Sequence, residues 1–280
     1  MMHNFITNNK LKSFYLLIII IVIAFGNNIC YANQSRNLII FADQSTVFSL
    51  TKIARLYSQK YNVATSINFI ANSEIEEDMT LNQNGDSHMI SRIESGEAAD
   101  VFISANNQII NELKRKGLID FYSNSFIAFD RLAIITSKQN QIIKNNKIKF
   151  DTSFNNALLQ LDQLNAIILT ENINNIAGKN AFDRINSLDL KNIQIISKIK
   201  EDRSSIYSIT KDNPDNYVIA LASQVFNRKN IKVIALDSQE INYQALAITG
   251  DNMNTAREFI KFLKSDIAKK IFNENGFIAK

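Results

Sequence analysis

Cysteine, proline, glycine and histidine are all scarce in these 280 residues, which carry one Cys, one Pro, seven Gly and two His. Cys30 and His3 fall within the first 32 residues, so the remainder has no cysteine and a single histidine, His88. That excludes a disulfide framework, a zinc–thiolate site, a cysteine nucleophile and a multi-histidine metal centre from the main body of the chain. The glycines, at 26, 85, 96, 117, 178, 250 and 276, are too dispersed for a GxGxxG or Walker loop, and Ala177-Gly178-Lys179-Asn180 only mimics the tail of one. Pro214 is the sole proline, so the usual turn punctuation is thin and asparagine has to carry many turns. Concentrated charge is missing too. The net charge of +4 falls to +2 once Lys10 and Lys12 are set aside with the N-terminal segment, and no basic face is gathered for nucleic acid. What is present, 46% apolar, 21% charged and 9% aromatic residues, describes a globular chain long enough for two modest domains and excludes disorder or a collagen-like fibre.

Residues 1–32 read as a secretory signal: a basic start, an apolar run over 14–25, polar Asn27 and Asn28, then Cys30-Tyr31-Ala32. The apolar run, ~12 residues, is too short for a stable membrane-spanning helix. Small side chains at Cys30 and Ala32 suit a cleaving peptidase, which places the mature N-terminus at Asn33 of an exported protein. A lipidated Cys30 and a retained anchor are the alternative readings, the first weakened by the lack of a small residue just before Cys30.

Beyond residue 33, short apolar runs alternate with helical periodicity, which predicts an α/β fold with mostly parallel strands. Strands are expected over 38–42, 63–70, 100–104, 166–169, 193–198, 217–221 and 231–236, with longer extended runs over 126–136 and 243–249. Helices are expected from Ser45 to about Gln59, with Phe48, Ile53, Leu56 and Tyr57 along one face, and over 106–116, closed by Gly117. A further helical turn is expected over 89–94, helices over 154–161 and 178–185, and two last helices over 255–264 and 266–273. The acidic stretch 74–86 fits neither period and reads as a surface insertion. Two long extended runs suggest two crossings between lobes, with the C-terminal helices packing back on the first: lobe 1 over 33–125 and 246–280, lobe 2 over 126–245.

Four motifs carry a family resemblance. Ile40-Phe41-Ala42-Asp43-Gln44-Ser45, the stretch from Ser95-Gly96-Glu97-Ala98-Ala99-Asp100 through Val101-Phe102-Ile103-Ser104-Ala105, Arg131-Leu132-Ala133-Ile134-Ile135, and Phe272-Asn273-Glu274-Asn275-Gly276-Phe277 together resemble the periplasmic molybdate-binding proteins of ABC importers. The order matches along the mature chain, and residues 138–243 match only loosely. The resemblance implies an α/β, two-lobe periplasmic-binding-protein (venus-flytrap) fold with a hinge of two crossing strands. It further implies a monomer that captures a tetrahedral oxyanion, molybdate or tungstate, and delivers it to an ABC permease in the inner membrane, with no catalysis, cofactor or protein-ligated metal. By the same resemblance, Ser45 supplies a hydroxyl at the first strand-to-helix junction, Asn72 or Ser73 a donor after the second strand, and Ala177 a backbone N–H at a helix start.

Elementary chemistry supports such a site. Hydroxyls and unpaired N–H groups at helix N-termini hold a buried dianion without a full counter-charge. About five to seven such bonds, each worth roughly 1.5–3 kcal/mol, offset desolvation and closure to reach sub-micromolar binding. This chain departs from the family at four positions: Leu221 stands where a tyrosine hydroxyl is expected, Asp43 and Gln44 replace small neutral residues, and Arg203 replaces an apolar one. A carboxylate near a dianion opposes binding, and Arg203 is placed either to offset Asp43 or to bind the ligand through its guanidinium.

Other readings stay open beside this one. Ser45 also reads as a plain N-cap, Ala177 as a loop alanine, and Asp43 with Arg203 as a solvated pair. The chain as a whole also reads as a receptor for another anion, or as an interaction protein that has lost its ligand. Ser49-Leu50-Thr51-Lys52 fits the S-x-x-K pattern of penicillin-interacting enzymes, but no S-D-N or K-T-G follows. His88 has no Ser or Cys motif to serve as a general base for, and the acidic stretch lacks the order of a calcium loop.

Overall fold

The computed structural model describes residues 37–70, 85–145, 153–173, 175–199 and 203–280. The chain opens with β1 (Asn37–Asp43), a 3-10 turn (Gln44–Thr46), α1 (Val47–Tyr61), β2 (Ala64–Ile70), α2 (Gly85–Glu94), β3 (Val101–Ser104), α3 (Asn107–Arg115) and β4 (Ser125–Asp130). A second group follows: β5 (Leu132–Ser137), α4 (Gln141–Lys144), α5 (Phe154–Gln163), β6 (Ile167–Glu171), α6 (Ile176–Asn186), β7 (Gln194–Ile199), α7 (Arg203–Asp212), β8 (Tyr217–Leu221), α8 (Ala222–Val225) and β9 (Ile231–Leu236). The chain then ends on β10 (Ile241–Ala247), α9 (Met253–Leu263) and α10 (Asp266–Glu274).

The strands make two five-stranded sheets, ordered β2-β1-β3-β10-β4 and β7-β6-β8-β5-β9. Each contains three parallel strands followed by two antiparallel pairings, so the sheets are mixed where mostly parallel strands were expected. The parallel strands are joined through helices, as parallel pairing requires. In the first sheet the antiparallel neighbour of the parallel set is β10, and in the second it is β5. Both strands enter from the other sheet without a crossover helix.

The chain passes between the sheets twice, giving the two-lobe α/β architecture. The run 126–136 breaks at Arg131, with β4 in the first sheet and β5 in the second. The return runs over residues 237–240, and β10 pairs with β3 and β4 in the first sheet. The expected division at 126 and 245 therefore cuts through β4 and β10; the sheets exchange at 131 and at 237–240 instead. Both crossings are pinned to each other: Asp237 N–H donates to Leu132 O at 2.8 Å, and the Arg131 guanidinium reaches Glu240 at 3.3 Å. Arg184 adds a bidentate hold on Asp237, at 2.7 and 2.9 Å.

Local chemistry explains where elements stop. Among the described residues, the non-glycine positions with left-handed backbone are all asparagines, Asn62, Asn165 and Asn227, each between a helix and the strand that follows it. With glycine and proline scarce, asparagine does supply the turns. Gly117, at φ +69°, follows the C-cap of α3 as its sequence predicts. Leu50, Ile53, Ala54 and Tyr57 form the buried stripe of α1. Phe48, expected on that face, is 52% exposed because five residues place it about 140° around the helix from Ile53. Tyr57 meets Phe259 of α9 edge-on at 5.0 Å, and the C-terminal helices pack back on the first lobe as expected.

Candidate functional site

Ligands of open α/β sheets bind beyond the carboxyl ends of the parallel strands, where the following helices begin. Here the two sets of helix starts meet. Lys179, in the first turn of α6, donates through Nζ to Gln108 Oε1, in the first turn of α3, at 3.0 Å. The helices that follow β3 and β6 are thus joined at their first turns, with Asp43 ending β1 in one sheet and Glu171 ending β6 in the other.

On the first-lobe side, Asp43 is 8% exposed and Ser45 7%. The Asp43 carboxylate caps the 3-10 turn: Oδ1 accepts from Ser45 N–H at 2.9 Å and from the Ser45 hydroxyl at 2.5 Å. Thr46 Oγ1 adds a bond to the Asp43 carbonyl at 2.6 Å. The Tyr243 hydroxyl lies 2.8 Å from Ser45 Oγ. Since the Ser45 hydroxyl gives its one proton to Asp43, Tyr243 is the donor in this second bond. Protons therefore point in file from Tyr243 to Ser45 to Asp43. Burial pushes the Asp43 carboxyl above its ordinary value, against the lowering effect of both Ser45 bonds. The N-cap is Asp43, so Ser45 is not the plain cap of the alternative reading.

The second-lobe side is built differently. Asn175 is the N-cap of α6, yet its side chain makes no capping bond, and the first-turn N–H groups of Ile176, Ala177 and Gly178 receive no side-chain acceptor from it. Its Nδ2 instead approaches Glu171 Oε2 at 3.4 Å, and its Oδ1 is buried without a partner. Glu171, 1% exposed, also accepts from Gln224 Nε2 at 2.7 Å. Ala177 buries its methyl group in the core and offers only backbone to the helix start. At Gly178 a Cβ would stand 1.9 Å from Asn172 O and 2.5 Å from Glu171 O, so only glycine lets α6 begin this close to the end of β6.

Of the residues expected at the site, Ser45 and Ala177 begin helical segments at the carboxyl ends of β1 and β6. Arg203 is the first residue of α7, with its side chain outside the described residues, as are Asn72, Ser73 and the side chain of His88. The acidic stretch lies outside the described residues up to residue 84. Leu221 is buried, closing β8. A tyrosine hydroxyl is nonetheless present, supplied by Tyr243 from β10. Sequence reasoning missed Tyr243, Asn175 and Glu171. Glu171 had a signal, a carboxylate ending an otherwise apolar strand just before a helix start, whereas Tyr243 had none.

The bacterial extracellular solute-binding protein model matches residues 38–278. The molybdate-binding protein ModA of Haemophilus influenzae is 24% identical over 251 residues, covering 88% of this chain and 91% of that one. The Escherichia coli molybdate-binding protein ModA is 22% identical over 248 residues, covering 86% and 88%. The tungstate-binding protein TupA of Desulfovibrio alaskensis G20 shares the fold, with a TM-score of 0.65 at 10% identity over 88% of this chain and 99% of its own. With a two-lobe α/β fold and the family match spanning residues 38–278, the chain belongs to the bacterial extracellular solute-binding proteins.

Proposed function

We propose that this chain is the exported receptor of an ABC importer, capturing a small tetrahedral oxyanion between its two lobes and delivering it to an inner-membrane permease. The observation that carries the reading is the uncapped start of α6, whose first turn is joined to the first lobe by the Lys179–Gln108 bond. Molybdate and tungstate, named for the relatives, are the first ligands to test. Ala177, and Asn72 or Ser73 are the proposed contacts, with Arg203 as a cationic partner, and Ser45 joins them only once it turns from Asp43. The receptor works as a monomer without a cofactor or a catalytic step. Residues 1–32 act as its leader, cleaved after Ala32 to release it into the periplasm; among the described residues no helix is long and apolar enough to cross a membrane.

A second reading, a receptor for a different anion, is favoured by Asp43, whose carboxylate already takes the Ser45 donors. Both readings predict that an oxyanion stabilises the fold, by about 2.7 kcal/mol at a hundred times its Kd. Thermal unfolding with molybdate, tungstate, sulfate, phosphate and arsenate in turn is the test. A rise in melting temperature with at least one of them supports the receptor, and no shift with any of them overturns it.

A further inference from the structure

We infer that Asp43 makes this receptor select an oxyanion that carries a proton, the hydrogen phosphate or hydrogen arsenate class, over the proton-free dianions molybdate, tungstate and sulfate. The inference rests on the oxyanion reading above and narrows it.

Among the described residues, the donors at the end of β1 are already committed. Ser45 N–H and the Ser45 hydroxyl both go to Asp43 Oδ1, and Tyr243 feeds the same chain from behind. Both bonds go to Oδ1 and neither to Oδ2, in a residue more than nine-tenths buried. With Asp43 ionised, the described end of β1 offers a ligand a charged hydrogen-bond acceptor, where a site for a bare dianion offers donors.

A ligand with no proton meets Asp43 only as repulsion in a desolvated setting, which costs more than the same pair in water. A ligand bearing a hydroxyl donates it to Oδ2 and turns that repulsion into a charge-assisted hydrogen bond. The opposite side is complementary, because the N–H groups starting α6 are uncapped and take the ligand's unprotonated oxygens. Selection by proton count is of the strong kind, since the wrong ligand leaves a buried polar group unpaired. Phosphate and sulfate are tetrahedra of nearly equal size and differ at neutral pH in whether a proton remains. Comparing them isolates the Asp43 contribution from cavity size.

The test is isothermal titration at pH 7.5 of the protein purified after export, against phosphate, arsenate, sulfate, molybdate and tungstate. Phosphate and arsenate are expected to bind at least tenfold more tightly than the other three. Asp43→Asn keeps an oxygen for Ser45 and presents an amide donor in place of Oδ2, so it should lower phosphate affinity at least tenfold and invert the preference over sulfate. Wild-type protein binding sulfate, molybdate or tungstate within threefold of phosphate overturns the inference while leaving the receptor reading intact; so does an Asp43→Asn protein that binds with unchanged preference. Wild-type protein binding none of the five anions overturns both. The wild-type comparison needs no variant and stands if Asp43→Asn fails to fold.

Discussion

Lys179 Nζ donates to Gln108 Oε1 across 3.0 Å, and through that one exposed bond the first turn of α6 is held against the first turn of α3. Both helices begin where a parallel strand ends, so the contact joins the helix starts of the two lobes.

A single exposed hydrogen bond contributes little to folding, about 0.5 kcal/mol, but the same amount shifts an open–closed equilibrium roughly twofold. Lys179→Ala should leave the melting temperature within about 2 °C of wild type. It should raise the ligand-free radius of gyration in small-angle X-ray scattering and weaken ligand capture by about twofold to fivefold. An unchanged radius of gyration would show that this bond does not govern closure.

Gly178 is tied to Asn172 more rigidly. A methyl group there would overlap the Asn172 carbonyl oxygen at 1.9 Å, and backbone, unlike a flexible side chain, cannot step aside. Gly178→Ala should force α6 away from the end of β6 and cost about 1–3 kcal/mol by urea denaturation, the range for overpacking a fitted site. Where the α6 amides hold the ligand, as proposed, ligand binding should fall along with stability. Replacement of Gly250, where an added Cβ meets nothing within 4 Å, serves as the control, and Gly250→Ala should be nearly neutral.

Much of the fold was legible because its central strands are apolar on both faces. The segments 38–42, 101–104 and 217–221 are buried throughout or nearly so, and continuous apolar runs between helical patterns announce such strands. The switch between sheets was not legible. Residues 126–136 keep one extended pattern while changing partners at Arg131, and nothing in a strand's own periodicity records which sheet it joins. The site shows the same division. The place of Ser45 could be read from its neighbours, but its bond to Tyr243 spans 198 residues and exists only because β10 pairs in a register that sets Tyr243 opposite Ala128. The sequence placed Asp43 close enough to oppose an anion. That it takes the serine proton as well is a matter of side-chain geometry.

Asp130, at the first crossing, gives the hinge a pH dependence. It is 1% exposed, accepts from Arg131 N–H at 2.7 Å and Ser223 N–H at 3.3 Å, and leaves Oδ2 unpartnered. Burial pushes its carboxyl up to about 7. In the unfolded chain the same group titrates near pH 4, so between about pH 4 and 7 the folded state holds a proton that the unfolded state has released. The stabilising contribution is complete below pH 4, declines as pH rises to 7, and is gone above it. Asp130→Asn keeps the acceptor and removes the ionisation. It should therefore flatten that decline and raise stability at pH 8 by up to about 4 kcal/mol. Urea denaturation at pH 4.5, 6 and 8 checks this, and parallel profiles for the two proteins would mean that Asp130 does not ionise in this range.

The proton file from Tyr243 through Ser45 to Asp43 makes an ordered prediction about three variants. Ser45→Ala removes a bond to a charged, buried acceptor, which is worth about 1.5–3 kcal/mol, and the Tyr243 bond with it. Tyr243→Phe removes only a neutral bond, worth about 0.5–1.5 kcal/mol, and leaves Ser45 still donating to Asp43. Ser45→Ala should therefore cost the more of the two. In the double variant the tyrosine has no partner left to lose at Ser45, so the combined loss should fall short of the sum by about 0.5–1 kcal/mol. Chemical denaturation of the four proteins closes the cycle. Strictly additive losses would show that the two hydroxyls act independently and that the Ser45–Tyr243 bond adds nothing to stability.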